Sequence, residues 1–306
     1  MNIRRIRLLL IILIFTAGTC LIWVIYKEQP KTVFHSTLAP AYQLFGKAPQ
    51  SMNRALTRVM PIDALDEKRY GEAIALRYEY SVNKNSPEYI YLNDIMNDLS
   101  RFAKKPFTYR VYVLPYSQPN AFALPGGIIC VTQGLLKTLK SESELVSVLA
   151  HEMGHIELSH CLEIVRFQLL TRKIGNSSLG SLADFAVNTL LRHSYSKTHE
   201  DEADEYAYAL ILNTVYDPLA TGNAFESLLI YKNSPIPKSS ASRTSDPVRE
   251  YFMTHPYLEL RSEKFREKGR VWWEQNKSKG KKYVGKQNLQ RRISHAKREF
   301  ADEWVQ

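Results

Sequence analysis

The sequence predicts an α+β fold, mostly helical, with a small sheet beside a central helix and an apolar helix ahead of it. Apolar residues recur at three and four spacing in six separate segments, the pattern of helices with one buried face. Short β-branched and aromatic runs are confined to residues 107–132. A continuous apolar run, Leu8 to Ile25, precedes everything else. At 306 residues, with 44% hydrophobic and 24% charged residues, the chain has one or two domains and a real core, and is neither disordered nor multi-spanning.

The elements follow in order. Arg4, Arg5 and Arg7 precede the run Leu8–Ile25, whose 18 residues reach roughly 27 Å at ~1.5 Å each, enough for a bilayer core of about 30 Å. Residues 1–28 are therefore expected to be a membrane anchor, with the arginines on the cytoplasmic side and the body beyond the membrane. Signal cleavage near Thr16–Thr19 is the alternative. Residues 29–262 form the expected main domain and 263–306 a basic, helical tail. Helices are expected over 61–80, 90–103, 181–192, 199–213 and 222–232, and from Ser141 toward Leu170. Phe107–Leu114, Ala121–Leu124 and Ile128–Thr132 read as strands, the last two separated by Pro125-Gly126-Gly127. Residues 234–247 are rich in proline and serine and read as a long loop. Cys130 and Cys161, the two cysteines outside the anchor, are expected to be buried and free.

A formal charge of +10 suggests an anionic partner, but its distribution reduces nucleic acid to a minor reading. The three arginines hold part of the excess, residues 263–306 carry 13 basic against 6 acidic side chains, and residues 8–262 sum to zero. In the tail, Leu289, Ile293, Ala296, Phe300 and Trp304 form a stripe beside Arg291, Arg292, Lys297 and Arg298. Such a helix could rest on anionic lipid or pack on the body.

The chemistry lies at His151-Glu152-Met153-Gly154-His155. Residues four apart share a helix face, so both imidazoles can point at one ion, and zinc takes such nitrogen ligands. Glu152 is displaced about 100° around the helix and can reach a metal-bound water as a general base. Glu200 and Asp204, again four apart, can supply a third ligand and a hydrogen-bond partner for an imidazole; spacing alone fits a solvated acidic helix start equally well. His160, five residues after His155, would lie about 140° round a continuous helix, which excludes it from the same ion and makes it a packed or hydrogen-bonded residue. Neither His193 nor His199 has a helical partner at four, so neither reads as a ligand.

Four separated segments then resemble one family: Asn120 to Gly127; the His-Glu-x-x-His motif; Tyr195-Ser196-Lys197 leading into Glu200–Asp204; and Thr254-His255-Pro256 followed by Arg261. The chain resembles the HtpX and CAAX-prenyl-protease family of zinc metallopeptidases, metallopeptidase family 48, and is most similar to its single-anchor periplasmic and Oma-like members. The resemblance implies a gluzincin-type zincin domain holding one Zn2+ on His151, His155 and Glu200, with Asp204 behind them. It implies Glu152 as the catalytic base and His255 as an extra ligand or a group facing the reacting carbonyl. Asn120, Ala121 and Phe122 would lie along a bound peptide strand, and Arg261 beside the substrate or its oxyanion. Lys197 stands where the family usually has arginine, a departure that does not touch the metal ligands.

Residues 156–198 contain no 18-residue apolar run, so the catalytic body should stand outside the bilayer, on the periplasmic or extracytoplasmic side of the inner membrane. Polypeptides that are misfolded, unassembled or membrane-associated are the substrates the resemblance implies. A second hypothesis is a zinc-site assembly factor or chaperone with latent proteolysis, acting through the 234–247 loop and the basic tail.

Overall fold

The computed structural model describes residues 64–79, 82–165, 190, 194–234, 254–276 and 280–306. The expected anchor, the helix over 181–192 and the 234–247 loop lie outside these residues except for residue 190, which is helical, and Ser234. Among the described residues no helix is long and apolar enough to cross a membrane.

Helices α1 (Ala64–Glu79) and α2 (Pro87–Leu99) lead into the sheet. Ser86 caps α2 by accepting the Tyr89 N–H, proline occupies its first turn, and Tyr91, Leu92, Ile95, Met96 and Leu99 line its buried face at three and four spacing. Strands β1 (Arg110–Leu114), β2 (Ala121–Leu124) and β3 (Ile128–Thr132) form one sheet in the order β1-β3-β2, with β1 parallel and β2 antiparallel to β3. The β2–β3 turn needs its glycines: Gly126 and Gly127 have φ of 81° and 92°. A Cβ on Gly126 would stand 2.5 Å from the Gly71 Cα, so this glycine pair also lets α1 touch the turn.

Short α3 (Gln133–Thr138) leads into the central helix α4 (Glu142–Glu157), which is buried from Glu142 to Ile156. Ser141 accepts the Glu144 N–H, while Glu144 Oε2 accepts the Lys140 N–H at 3.0 Å. Two further N–H groups of its first turn, those of Glu142 and Ser143, donate to the carbonyls of Gly285 and Val284. The continuous helix expected toward Leu170 does not form. Leu158 ends α4, Ser159 adopts a left-handed φ of 66°, and residues 160–165 are helical again. The break redirects the chain, with consequences for His160.

Helices α5 (Lys197–Leu212), α6 (Ala220–Asn233) and α7 (Leu258–Asn276) complete the body. Helix α5 packs along α4, and α7 along α6, where Gly222 admits the Arg266 backbone. The domain boundary expected at 262/263 falls inside α7, so the segment after it is continuous with the body. The tail is likewise not one amphipathic helix: it forms β4 (Lys282–Tyr283), α8 (Lys286–Arg291) and β5 (Trp304–Val305), with β4 pairing β5. Arg292 takes a left-handed φ of 54°, which stops α8. The Glu303 carboxylate accepts the Lys286 and Gln287 N–H groups at 3.0 and 2.9 Å. Leu289, within α8, and Phe300, beyond it, are buried, as the alternative of packing on the body expected, not turned toward lipid. Cys130 and Cys161 are buried and free, as expected.

Candidate metal centre

The site is built where α4 meets α5. Gly154 makes the approach close: a Cβ there would lie 3.2 Å from the Ala203 Cα, its carbonyl oxygen and the Tyr206 ring. Helix α5 thereby brings Glu200, one turn above Ala203, against the two imidazoles of α4. Nε2 of His151 and Nε2 of His155 are 3.0 Å apart. Glu200 Oε1 is 3.4 Å from the His155 nitrogen, and its Oε2 is 3.6 Å from that of His151. His255, entering from the segment before α7, puts Nδ1 3.3 Å from His151 Nε2 and 3.0 Å from Glu200 Oε1. One donor atom from each of these four buried residues lies within 4.8 Å of every other.

The donor set fits a metal ion. Two imidazole nitrogens at 3.0 Å cannot serve one another when both present lone pairs. A tetrahedral zinc with bonds of about 2.0–2.1 Å separates its donors by roughly 3.3–3.4 Å, close to the spacings here. The far side of each ring supports the same protonation pattern. His151 Nδ1 is 2.9 Å from Asp204 Oδ1 and 3.4 Å from the Arg261 guanidinium; the shorter, carboxylate contact decides that Nδ1 carries the proton and leaves Nε2 free.

Arg261 was expected beside substrate, but it is buried and committed elsewhere. Its Nε and Nη2 donate to the two Asp204 oxygens at 2.8 and 2.7 Å, its Nη1 lies 2.5 Å from Glu200 Oε2, and its guanidinium stacks over Phe225. The planar fork suits a carboxylate in this bidentate way. Burial alone would raise the Glu200 and Asp204 pKa values; His255 and Arg261 outweigh it at Glu200, and Arg261 and His151 at Asp204, so both are held below the usual carboxylate range. Burial holds His155 well below the ordinary histidine value, keeping it neutral. At His255 the burial effect is outweighed by Glu200 and Glu152, which raise its pKa.

Glu152 is fully buried, and neither carboxylate oxygen has a hydrogen-bond partner among the described residues; the nearest ionisable group is His255, whose Nε2 is 3.5 Å away. Burial raises its pKa, with His255 and His151 opposing. A carboxyl group so placed is free to exchange a proton with a molecule entering the site.

Of the residues expected along a bound peptide, Asn120, Ala121 and Phe122 are buried, with Phe122 in the hydrophobic core. Strand β2 is nevertheless terminal in its sheet, paired with β3 alone among the described residues, and packs beside α4. Lys197 forms an exposed pair with Asp201, one turn along α5. Two residues inside the family-like segments, Tyr195 and Glu202, prove to be neighbours of His155, a role the sequence did not assign them. Tyr195 stacks on its ring at 3.8 Å, and Glu202 reaches it through His160. The motif at Tyr195 marks the family but not which ring the tyrosine stacks on, and Glu202 lies only two residues from Glu200, off the shared face.

A buried His-Glu-x-x-His helix completed by a glutamate from a second helix defines a metallopeptidase centre. Residues 88–268 match the sequence profile of peptidase family M48, and the chain belongs to that family. It is 30% identical over 138 residues to the metalloprotease LoiP of Escherichia coli, covering 40% of this chain and 52% of that one. It is 30% identical over 156 residues to the mitochondrial metalloendopeptidase OMA1 of Arabidopsis thaliana, covering 49% and 30%. It is 27% identical over 190 residues to the beta-barrel assembly-enhancing protease of Yersinia pestis, covering 56% and 37%. The chain thus spans about half or less of the length of these relatives.

Proposed function

We propose that this chain is a zinc-dependent endopeptidase, anchored in the inner membrane by residues 8–25 with its catalytic body on the extracytoplasmic side. The observation that carries this is the convergence of His151, His155, Glu200 and His255 donors beside the buried carboxylate of Glu152, which has no hydrogen-bond partner among the described residues. A pure binding site has no use for such a group.

His151, His155 and Glu200 would hold the ion, each from a helix packed into the core. Hydrolysis requires one position open to water, so His255 would be the residue that gives up its place among the donors and faces the reacting carbonyl. When bound, zinc supplies a Lewis acid that brings the pKa of a water toward ~7 and polarises the scissile carbonyl. Glu152 takes the proton of the attacking water and delivers it to the leaving amine. Asp204 keeps His151 in the Nδ1–H tautomer. Arg261 bridges Asp204 and Glu200 and offsets part of their negative charge. Peptide would add along β2, where backbone hydrogen bonds tolerate many sequences. Such tolerance suits misfolded, unassembled or membrane-associated polypeptides, and the similar protein of Yersinia pestis is a beta-barrel assembly-enhancing protease.

The test is hydrolysis of an unfolded protein by wild type, chelator-treated wild type and Glu152→Gln. Cleavage is expected only from the metal-loaded wild type, with zinc content unchanged in the variant. Undiminished cleavage by zinc-loaded Glu152→Gln would overturn the mechanism.

A further inference from the structure

His151 and His155 reach the donor cluster through the same ring atom, Nε2, so each must carry its proton on Nδ1. For His151 the acceptor is Asp204. The ring of His155 is fully buried, and its Nδ1 faces Nδ1 of His160 at 3.0 Å. His160 in turn has Nε2 3.0 Å from Glu202 Oε2. Only one assignment of protons satisfies all three groups: Glu202 accepts from His160 Nε2–H, His160 Nδ1 accepts from His155 Nδ1–H, and His155 Nε2 keeps its lone pair for the donor cluster. The left-handed turn at Ser159 makes this contact, because it folds His160 back against a ring that a continuous helix would have carried it past.

From this chain of contacts we infer that His160 and Glu202 are positioning residues for the metal centre, acting as an imidazole–carboxylate relay that sets the tautomer and basicity of His155. The inference rests on the metal-binding role proposed above for His151, His155 and Glu200. Without His160, the buried Nδ1–H of His155 loses its acceptor among the described residues, and the other tautomer, which places hydrogen on Nε2, becomes competitive. That tautomer has no lone pair on Nε2 to offer the donor cluster. The two histidines therefore reach the same state by different routes: a buried carboxylate serves His151, and a neutral imidazole backed by a half-exposed carboxylate serves His155. Glu202 lies at the surface end, so the relay links the protein surface to the metal ligand.

A second ion held by His160, His199, Glu163 and Glu202 is the competing account of this cluster. It fails on geometry. His160 and His199 stack with centroids 4.3 Å apart and planes 17° from parallel, so their in-plane lone pairs do not converge, and His160 Nδ1 is already committed to His155.

The experiment measures zinc affinity of the full-length protein by competition with a chromophoric chelator, together with unfolding of the metal-free form. His160→Ala is expected to weaken zinc binding about 10–100-fold, the range for losing a partner of a ligating histidine. His160→Asn, which puts an acceptor oxygen close to the lost Nδ1, recovers most of that affinity. Glu202→Ala, at a surface position, weakens zinc binding in the same direction by a smaller factor without changing stability. Nitrogen-detected NMR of the zinc-loaded protein should show His155 protonated at Nδ1 in wild type, with that proton's signal shifted or lost in His160→Ala. If His160→Ala binds zinc within about twofold of wild type, the relay is overturned. Should that variant fail to fold, wild-type affinity in Glu202→Ala overturns it equally. His155→Ala separates the two levels: if it leaves zinc binding intact, the metal-centre assignment fails, whereas its loss beside unchanged His160→Ala affinity rejects the relay alone.

Discussion

Glu142→Gln should make the protein more stable at neutral pH and leave it nearly unchanged in mild acid. Glu142 is fully buried in the first turn of α4, and its Oε1 accepts from the Tyr216 hydroxyl at 2.7 Å and the His295 N–H at 2.9 Å. Burial raises its pKa from 4.5 to about 7, with the Tyr216 and His295 hydrogen bonds opposing the rise. This is the reverse of the usual carboxylate case: between pH 4.5 and 7 the folded protein keeps a proton that the unfolded chain has released. The protonated group's full stability is therefore present below about 4.5 and is lost as pH rises through 7. The difference in pKa corresponds to roughly 3 kcal/mol. The α4 dipole favours a negative charge here by about 0.3–1 kcal/mol, so desolvation wins. Glutamine keeps an acceptor oxygen for both donors and stays neutral at every pH. Urea unfolding of wild type and variant from pH 5 to 8, followed by tryptophan fluorescence, isolates the effect as a difference. The variant should gain about 3 kcal/mol relative to wild type across that range. A difference that does not change with pH would refute the assignment of a buried, protonated carboxyl at this position.

Three further outcomes follow from packing and charge. Arg261→Met removes the counter-charge from two buried carboxylates and should destabilise the metal-free protein by about 3–5 kcal/mol in urea unfolding; added zinc should reduce that loss, because a cation beside Glu200 replaces part of the charge. Gly154→Ala gains about 1 kcal/mol in helix propensity but meets Ala203 backbone atoms at 3.2 Å. Helix α5 must then move outward with Glu200, so zinc affinity should fall while calorimetric stability of the metal-free form changes by less than about 2 kcal/mol. Tyr283→Phe deletes a hydroxyl that donates to Asn288 Oδ1 at 2.6 Å and accepts the Phe300 N–H at 2.9 Å. It should cost about 1–3 kcal/mol, read as a lower melting temperature, and loosen the carbonyls that cap α4.

Much of the centre was legible because it is local. Ser141-x-x-Glu144 announced the start of α4, and four-residue spacing placed His151 with His155 and Glu200 with Asp204. That Glu200 sits against the histidines is a contact across 45 residues of chain beyond His155, for which spacing had no answer and the resemblance did. Arg261 was placed near the site but given the wrong neighbour, since six residues from His255 says nothing of which way a guanidinium turns. The tail misled for a related reason. Its stripe from Leu289 to Trp304 has helical period, yet Gly285, a left-handed Arg292 and pairing of β4 with β5 break it into short pieces packed on α4.

By itself the sequence determined the chemistry this protein can perform: two imidazoles and a glutamate on one helix turn, and a carboxylate pair on another. Helical periodicity is a property of neighbours along the chain, and these groups are neighbours. Only the tertiary structure decided what orients them. The left-handed turn at Ser159 carries His160 and, through it, Glu202 to the back of His155; the approach of α5 at Gly154 sets Glu200 among the donors; and Tyr283, Val284 and Gly285 hold the start of α4. Each is a contact between segments distant in sequence or across a break in a helix. Such contacts are selected by packing and by the need of buried polar groups for partners, which no local pattern encodes.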